Sequence, residues 1–454
     1  MNVLLSLLQK STDYNQLLKA VEAKQAVAVS GLSQTPRSHV LAAVHEQSGR
    51  PLVAVCQDDM AAKRLASELG AFLGEEPPVL PSRELTLAGA IGVSRQWEQQ
   101  RLRLLYALAQ GRVPVLVASL DALLLRTLPR QTLFSASVTL RTGAEYSMPE
   151  LIDRLTRAGY SRASLVEGVG QFALRGGILD VYSPAQEKPL RAEFFGDELD
   201  TMGYFDPITQ RRTENVDEAV LLPVAETEPH LHPQGISGLC EDLRAIIARQ
   251  QRRKTPNQAL IETLQKDCEA LENETLFASA DRYMALIYPE FTTAASYLPQ
   301  EAVVAFCDHG NLQRGEKDRA EEFGLLLDSF LTSGTLFGEL CDYYATMDDL
   351  AASLRGRAVI YCDSFLAARY PESLPPKQLL SFTARQLPGY GGSLETAAAD
   401  LKTYASNQYG SIVLCGGQRR GEILKELLAK SGLNALLSFP LTKLPQPGQI
   451  LIAG

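Results

Sequence analysis

Gln171-Phe-Ala-Leu-Arg-Gly-Gly-Ile-Leu-Asp-Val-Tyr182, followed by Pro189-Leu-Arg-Ala-Glu-Phe-Phe-Gly-Asp-Glu198, reads as two paired strands. Phe172, Leu174 and the span 178–182 carry aromatic and branched side chains, and the polar run 183–188 supplies turn chemistry for a hairpin. The doublet Gly176-Gly177 implies a bulge or a close approach by another backbone, because glycine weakens a strand interior. Upstream, Leu151, Ile152, Leu155 and Ala158 recur at helical spacing, and Gly159 stops that helix. Downstream, the run Val216 to Ala225 reads as a strand returning to a larger domain, so the hairpin belongs to a small, mainly-β unit inserted into it.

The larger domain opens with a buried strand, 25–30, that enters Gly31-Leu-Ser-Gln-Thr-Pro-Arg-Ser38. A phosphate loop would sit here, its amides cradling phosphates, its lysine reaching the terminal ones and its hydroxyl holding magnesium. Pro36 stands where the second glycine is needed, and Arg37 where the lysine is. Proline removes a donor, and a guanidinium does not replace a point-charge ammonium. The degenerate loop is therefore Gly31, Pro36, Arg37 and Ser38, in a strand–loop–helix setting whose chemistry is damaged. Further strands at 51–56 and 113–119 alternate with helices, which predicts a doubly wound parallel sheet. A hydrolase would place an acidic pair after the 113–119 strand, and only Asp121 is near.

The chain has 454 residues, 45% of them apolar, enough for about three domains. A net charge of −9 argues against a surface built for nucleic-acid phosphates. Trp97, with Arg95, Arg101 and Arg103, reads as a partly buried anchor on a solvated arginine face rather than as a base-stacking site. The seven cysteines lie far apart without a Cys-x-x-Cys, which fits a reducing cytoplasm and indicates neither a zinc knuckle nor a disulfide framework. His230-Leu-His232 lacks a third ligand, so no metal site is assigned. The span 236–288 reads as a solvated, charged helical arm. Strands resume at 302–307 and 358–362, and Asp308 beside His309 is disfavoured as an acid–base pair because neighbours on a strand face opposite sides. Leu374-Pro-Pro-Lys377 and the span 387–393 mark a last small α/β unit, in which Gly416-Gly417 before a helix is a packing turn or a weak anion site.

Gly159-Tyr-Ser-Arg162, the 170–180 run, the 193–198 run and Phe205-Asp-Pro-Ile-Thr-Gln-Arg211 resemble the module shared by the excinuclease subunit UvrB and the bacterial transcription-repair coupling factor Mfd. Ser30-Gly31, Gly92-Val-Ser-Arg95 and Val117 to Leu123 are spaced as in the coupling-factor branch. UvrB-like proteins keep an intact phosphate loop and a tyrosine-rich hairpin, and Val79 to Gln100 contains no tyrosine, so the coupling-factor branch is preferred. The resemblance implies contact with UvrA through arginines matching Arg162 and Arg175, with a further family arginine replaced by Ala173. Tyr182 is added as an aromatic on the same strand exit.

The expected architecture is α/β: a degenerate P-loop-type parallel sheet (1–126 and 214–372), an inserted small mainly-β domain (127–213) and a small C-terminal α/β domain (373–454). The expected function is a non-catalytic module that recruits UvrA to stalled RNA polymerase. The chain reads as a fragment: RNA polymerase, double-stranded DNA, ATP and Mg2+ would engage domains beyond it. The alternative is a nucleotide-hydrolysing, helicase-like repair enzyme of the UvrB type.

Overall fold

In the computed structural model, the described residues are 3–88, 96–273, 279–367, 369–384, 387, 390 and 393–454. Seven parallel strands form the main sheet, in the order Gln378–Ser381, Ala26–Ser30, Ala358–Cys362, Val303–Cys307, Leu52–Cys56, Val115–Ser119, Val79–Leu80. The five long central strands are buried at every position, as expected where helices cover both faces and strands become unbroken apolar runs. One face packs on Gln34–Ser48 and Asp59–Leu73. The other packs on Gln96–Ala109, Gly235–Gln251 and Gln258–Glu272.

Two expectations fail here. The span 236–288 is no solvated arm: Leu239, Leu243, Ile246, Leu260, Ile261 and Leu264 are core residues, and Asp267, Asp281 and Arg282 are buried charges within it. The sheet also extends past residue 372, because Gln378–Ser381 adds an edge strand beside Ala26–Ser30. Gly31 makes this possible. Its φ is +81°, and a Cβ there would lie 1.9 Å from the Phe382 carbonyl oxygen, so the first loop and the edge strand meet only through glycine.

The inserted unit is a six-stranded sheet in the order Arg212–Asn215, Glu198–Phe205, Leu190–Phe195, Ile178–Val181, Gln171–Arg175, Ser161–Arg162. All pairs are antiparallel except Ser161–Arg162 with Gln171–Arg175. The quoted stretch therefore supplies three strands instead of two. Gly176-Gly177 is the two-residue turn between the first two, with Arg175 paired to Ile178, and it is not a bulge. Gly176 has φ +61°, and a Cβ on Gly177 would lie 2.6 Å from the Phe194 carbonyl oxygen, so the expectation of a close backbone approach holds.

Helix Met148–Arg157 packs Leu151 and Leu155 against Phe172, Leu179, Val181, Leu190 and Ala192. Glu218–Leu221 does not rejoin the large sheet. It pairs antiparallel with Val138–Arg141, and Ala219, Leu221 and Val224 complete the small unit's core. The apolar alternation signalled a strand but could not say which sheet it served. A final three-stranded parallel sheet, Ser411–Leu414, Ile450–Ala453 and Ala435–Leu437, carries Leu394–Ser406 and Gln418–Lys430. No helix among the described residues is long and apolar enough to cross a membrane.

Candidate partner-binding face

The small sheet buries one side under Met148–Arg157; on the other side Val166, Ala173 and Phe205 form a small buried cluster with Tyr182 against it, and the rest is presented. Strand alternation places Ala173, Arg175, Ile178, Asp180, Tyr182, Glu193 and Phe195 on the presented side, as the registers Ala173–Asp180, Arg175–Ile178 and Ile178–Glu193 require. Asp180 is its organising residue. Its carboxylate, 1% exposed, accepts from Arg175 Nη2 at 2.6 Å and from Arg191 Nε at 2.7 Å and Nη2 at 2.9 Å. Arg191 also lies over the Phe205 ring at 4.5 Å, which fixes it from a second direction. Arg175, half exposed, thus stands outward on a buried anionic root.

Tyr182 is partly buried, and its hydroxyl donates to the Glu187 carbonyl at 2.6 Å. Burial pushes its phenol pKa upward. Arg162 is exposed on the short edge strand, where its register with Phe172 puts it on the opposite side of the sheet from Arg175 and Tyr182. The structure therefore groups Arg175 with Tyr182 and sets Arg162 at the sheet edge. Ile178 (37% exposed) and Phe195 (85% exposed) join the presented side as apolar neighbours. The sequence reading passed over both, and Asp180 with them. The available signal was a lone carboxylate inside the apolar run Ile178-Leu-Asp-Val181.

The small unit is held to the large one by buried charge. Arg101 and Glu226 are both fully buried, with Arg101 Nε 3.0 Å from Glu226 Oε2 and Arg101 Nη1 donating to the Pro81 carbonyl at 3.0 Å. Thr127 also donates to Glu226. Arg83 reaches Asp281 at 2.8 Å and Thr227 at 3.0 Å. Arg103 donates to the carbonyls of Pro184 and Gln186 in the small unit. The expected solvated arginine face is therefore wrong for Arg101 and Arg103, which fasten the point where the chain leaves the insertion. Arg95 and Gly92-Val-Ser-Arg95 lie outside the described residues. Trp97 is 53% exposed, with Lys63 Nζ 5.1 Å from its ring centre.

In the loop 31–38, the Gly31 and Leu32 amides, Arg37 and Ser38 have protein partners. The Gly31 amide donates to the Ser364 carbonyl at 3.2 Å and the Leu32 amide to the Asp363 carbonyl at 3.3 Å. Arg37 Nη1 is 2.8 Å from Asp308 Oδ2, and the Ser38 hydroxyl bonds the Glu68 carboxylate. Pro36 lies in the first turn of the following helix. Asp121 is paired with Arg319 at 2.5 Å. Asp308 and His309 do not act together. Asp308 faces Arg37, while His309 is buried between Tyr361 and Tyr370 and its pKa is lowered to about 4 by burial. His230 and His232 go to separate carboxylates, Glu228 at 2.7 Å and Asp242 at 3.3 Å.

Residues 138–226 match the family model of the UvrB interaction domain. The chain is 37% identical to the transcription-repair-coupling factor of Myxococcus xanthus over 221 residues, 47% of this chain and 18% of that protein. It is 25% identical to that of Staphylococcus aureus strain USA300 over 435 residues, 94% of this chain and 36% of that protein. With that of Bacillus subtilis strain 168, it is 22% identical over 453 residues, 98% of this chain and 38% of that protein. The chain thus spans little more than a third of the length of relatives it matches nearly end to end.

Proposed function

We infer that this chain, which carries a UvrB interaction domain and corresponds to the N-terminal region of transcription-repair-coupling factors, is a non-catalytic docking module whose small unit binds UvrA. The observation that supports this most directly is the presented side of the small sheet. There Arg175 is held outward by buried Asp180, beside Tyr182, Ile178 and Phe195. An arginine fixed before binding loses less freedom on binding, and aromatic and arginine side chains dominate interface cores. Arg162 at the sheet edge extends the contact around the rim.

In this reading the large domain is a scaffold. The partnered Gly31 and Leu32 amides, Arg37 and Ser38 support a reading in which ATP, Mg2+, RNA polymerase and double-stranded DNA are engaged by regions other than this one. The cytoplasm is the matching compartment. Titration of the chain with purified UvrA tests the proposal. Arg162→Ala and Arg175→Ala should each weaken binding by about 1–3 kcal/mol, and unchanged affinity in the double variant removes this face. Saturable, magnesium-dependent ATP binding by the chain would instead favour the nucleotide-hydrolysing alternative.

A further inference from the structure

Cys240 and Cys268 are 28 residues apart in sequence but meet between the helices Gly235–Gln251 and Gln258–Glu272. Each thiol faces the other helix's backbone, Cys240 Sγ at 3.9 Å from the Cys268 carbonyl oxygen and Cys268 Sγ at 3.7 Å from that of Cys240. Glu272 follows Cys268 by one helical turn, so its carboxylate falls on the same helix face. Ligand atoms of all three residues lie within 4.8 Å of one another. Both cysteines are buried, while the glutamate opens the cluster to solvent.

We propose that Cys240, Cys268 and Glu272 form a binding site for a zinc-class divalent cation that clips the two helices together. Two sulfurs and one carboxylate oxygen are the donor types zinc accepts, and water from the solvent side would fill the fourth tetrahedral position. Tetrahedral metal–sulfur bonds of about 2.3 Å place two ligand sulfurs about 3.8 Å apart, inside the 4.8 Å that bounds the ligand atoms here. Arg244 already engages Glu272 Oε1. A carboxylate has lone pairs for further partners, so that guanidinium can stay as the outer contact that orients the ligand. Charge and atoms balance: one cation enters and two thiol protons leave to buffer.

A second cysteine group provides the necessary control. Cys307 is paired in register with Cys362, and the register of Phe306 with Val55 brings Cys56 beside Cys307 at the ends of neighbouring strands. That row is a competing thiol site, with Asp308 and Asp363 within electrostatic reach of Cys307.

The test is titration of the reduced, metal-free full chain with Cd2+, following the thiolate-to-cadmium ultraviolet band and proton release in weak buffer, then competition with Zn2+. The expected result is one equivalent bound, two protons released and displacement by Zn2+. Cys240→Ser and Cys268→Ser should each remove the band. Glu272→Gln, a surface change that leaves the helix packing intact, should weaken binding by about tenfold or more. Cys56→Ser/Cys307→Ser should leave the titration unchanged. Loss of the band in that control, or full binding by Glu272→Gln and Cys240→Ser alike, would overturn the assignment.

Discussion

Asp180→Asn is the sharpest probe of the presented face, because it changes a side chain that is only 1% exposed and offers no surface to a partner. Asparagine keeps the shape but removes the charge that holds two guanidiniums. The Arg191 contacts, at 2.7 and 2.9 Å and mostly buried, are charge-assisted and should cost about 2 kcal/mol of stability when weakened. The Arg175 contact adds under about 1 kcal/mol, since that side chain is half exposed and screened by solvent. The binding effect is separate. Releasing Arg175 returns the freedom of one long side chain, about 1 kcal/mol, so affinity for UvrA should fall roughly fivefold. Calorimetric titration of the wild type, Asp180→Asn, Arg175→Ala and the double variant would close a cycle. With Arg175 absent, the Asp180 substitution should change binding by no more than about 0.5 kcal/mol. Additive losses would show that Asp180 does not act by positioning Arg175, and the preorganisation argument would fall.

Two further outcomes follow from the buried charges. Arg101→Met removes the fully buried guanidinium from Glu226, leaving it Thr127 and the more distant Arg83, 3.7 Å away, among the described residues, so thermal unfolding should report a loss of about 3 kcal/mol or more. Adding Glu226→Met should recover much of it, and no recovery would contradict an ion-pair origin. His309 is held neutral, with its pKa at about 4 against an ordinary 6.5. The unfolded chain therefore binds a proton that the folded chain refuses between those values, and stability falls as pH drops from about 6.5 to 4, by up to about 3 kcal/mol. Asp363 acts with the opposite sign. Burial raises its pKa to about 6, so its contribution is present at low pH and is lost as pH rises through 6. His309→Phe keeps a ring between Tyr361 and Tyr370 and should expose the Asp363 trend, making the variant gain on the wild type as denaturation is measured from pH 6.5 down to 4. A constant difference across that window would refute this assignment.

The α/β class, the inserted β unit and the family resemblance were legible along the chain, because strand runs, turn residues and helical spacing are local properties. The reading of Pro36 and Arg37 against the chemistry a phosphate loop needs likewise used local pattern alone. Where side chains found their partners depended on long-range packing. Arg101 looked like a surface residue until Glu226, 125 positions later, was brought against it in the core. Glu218–Leu221 showed its alternation but not which sheet would take it. Asp180 became the root of Arg175 only through strand register, and Cys240 met Cys268 only because two helices pack along the stripe that buries both. Pattern specifies which face turns inward, but long-range pairing depends on which inward faces share a core.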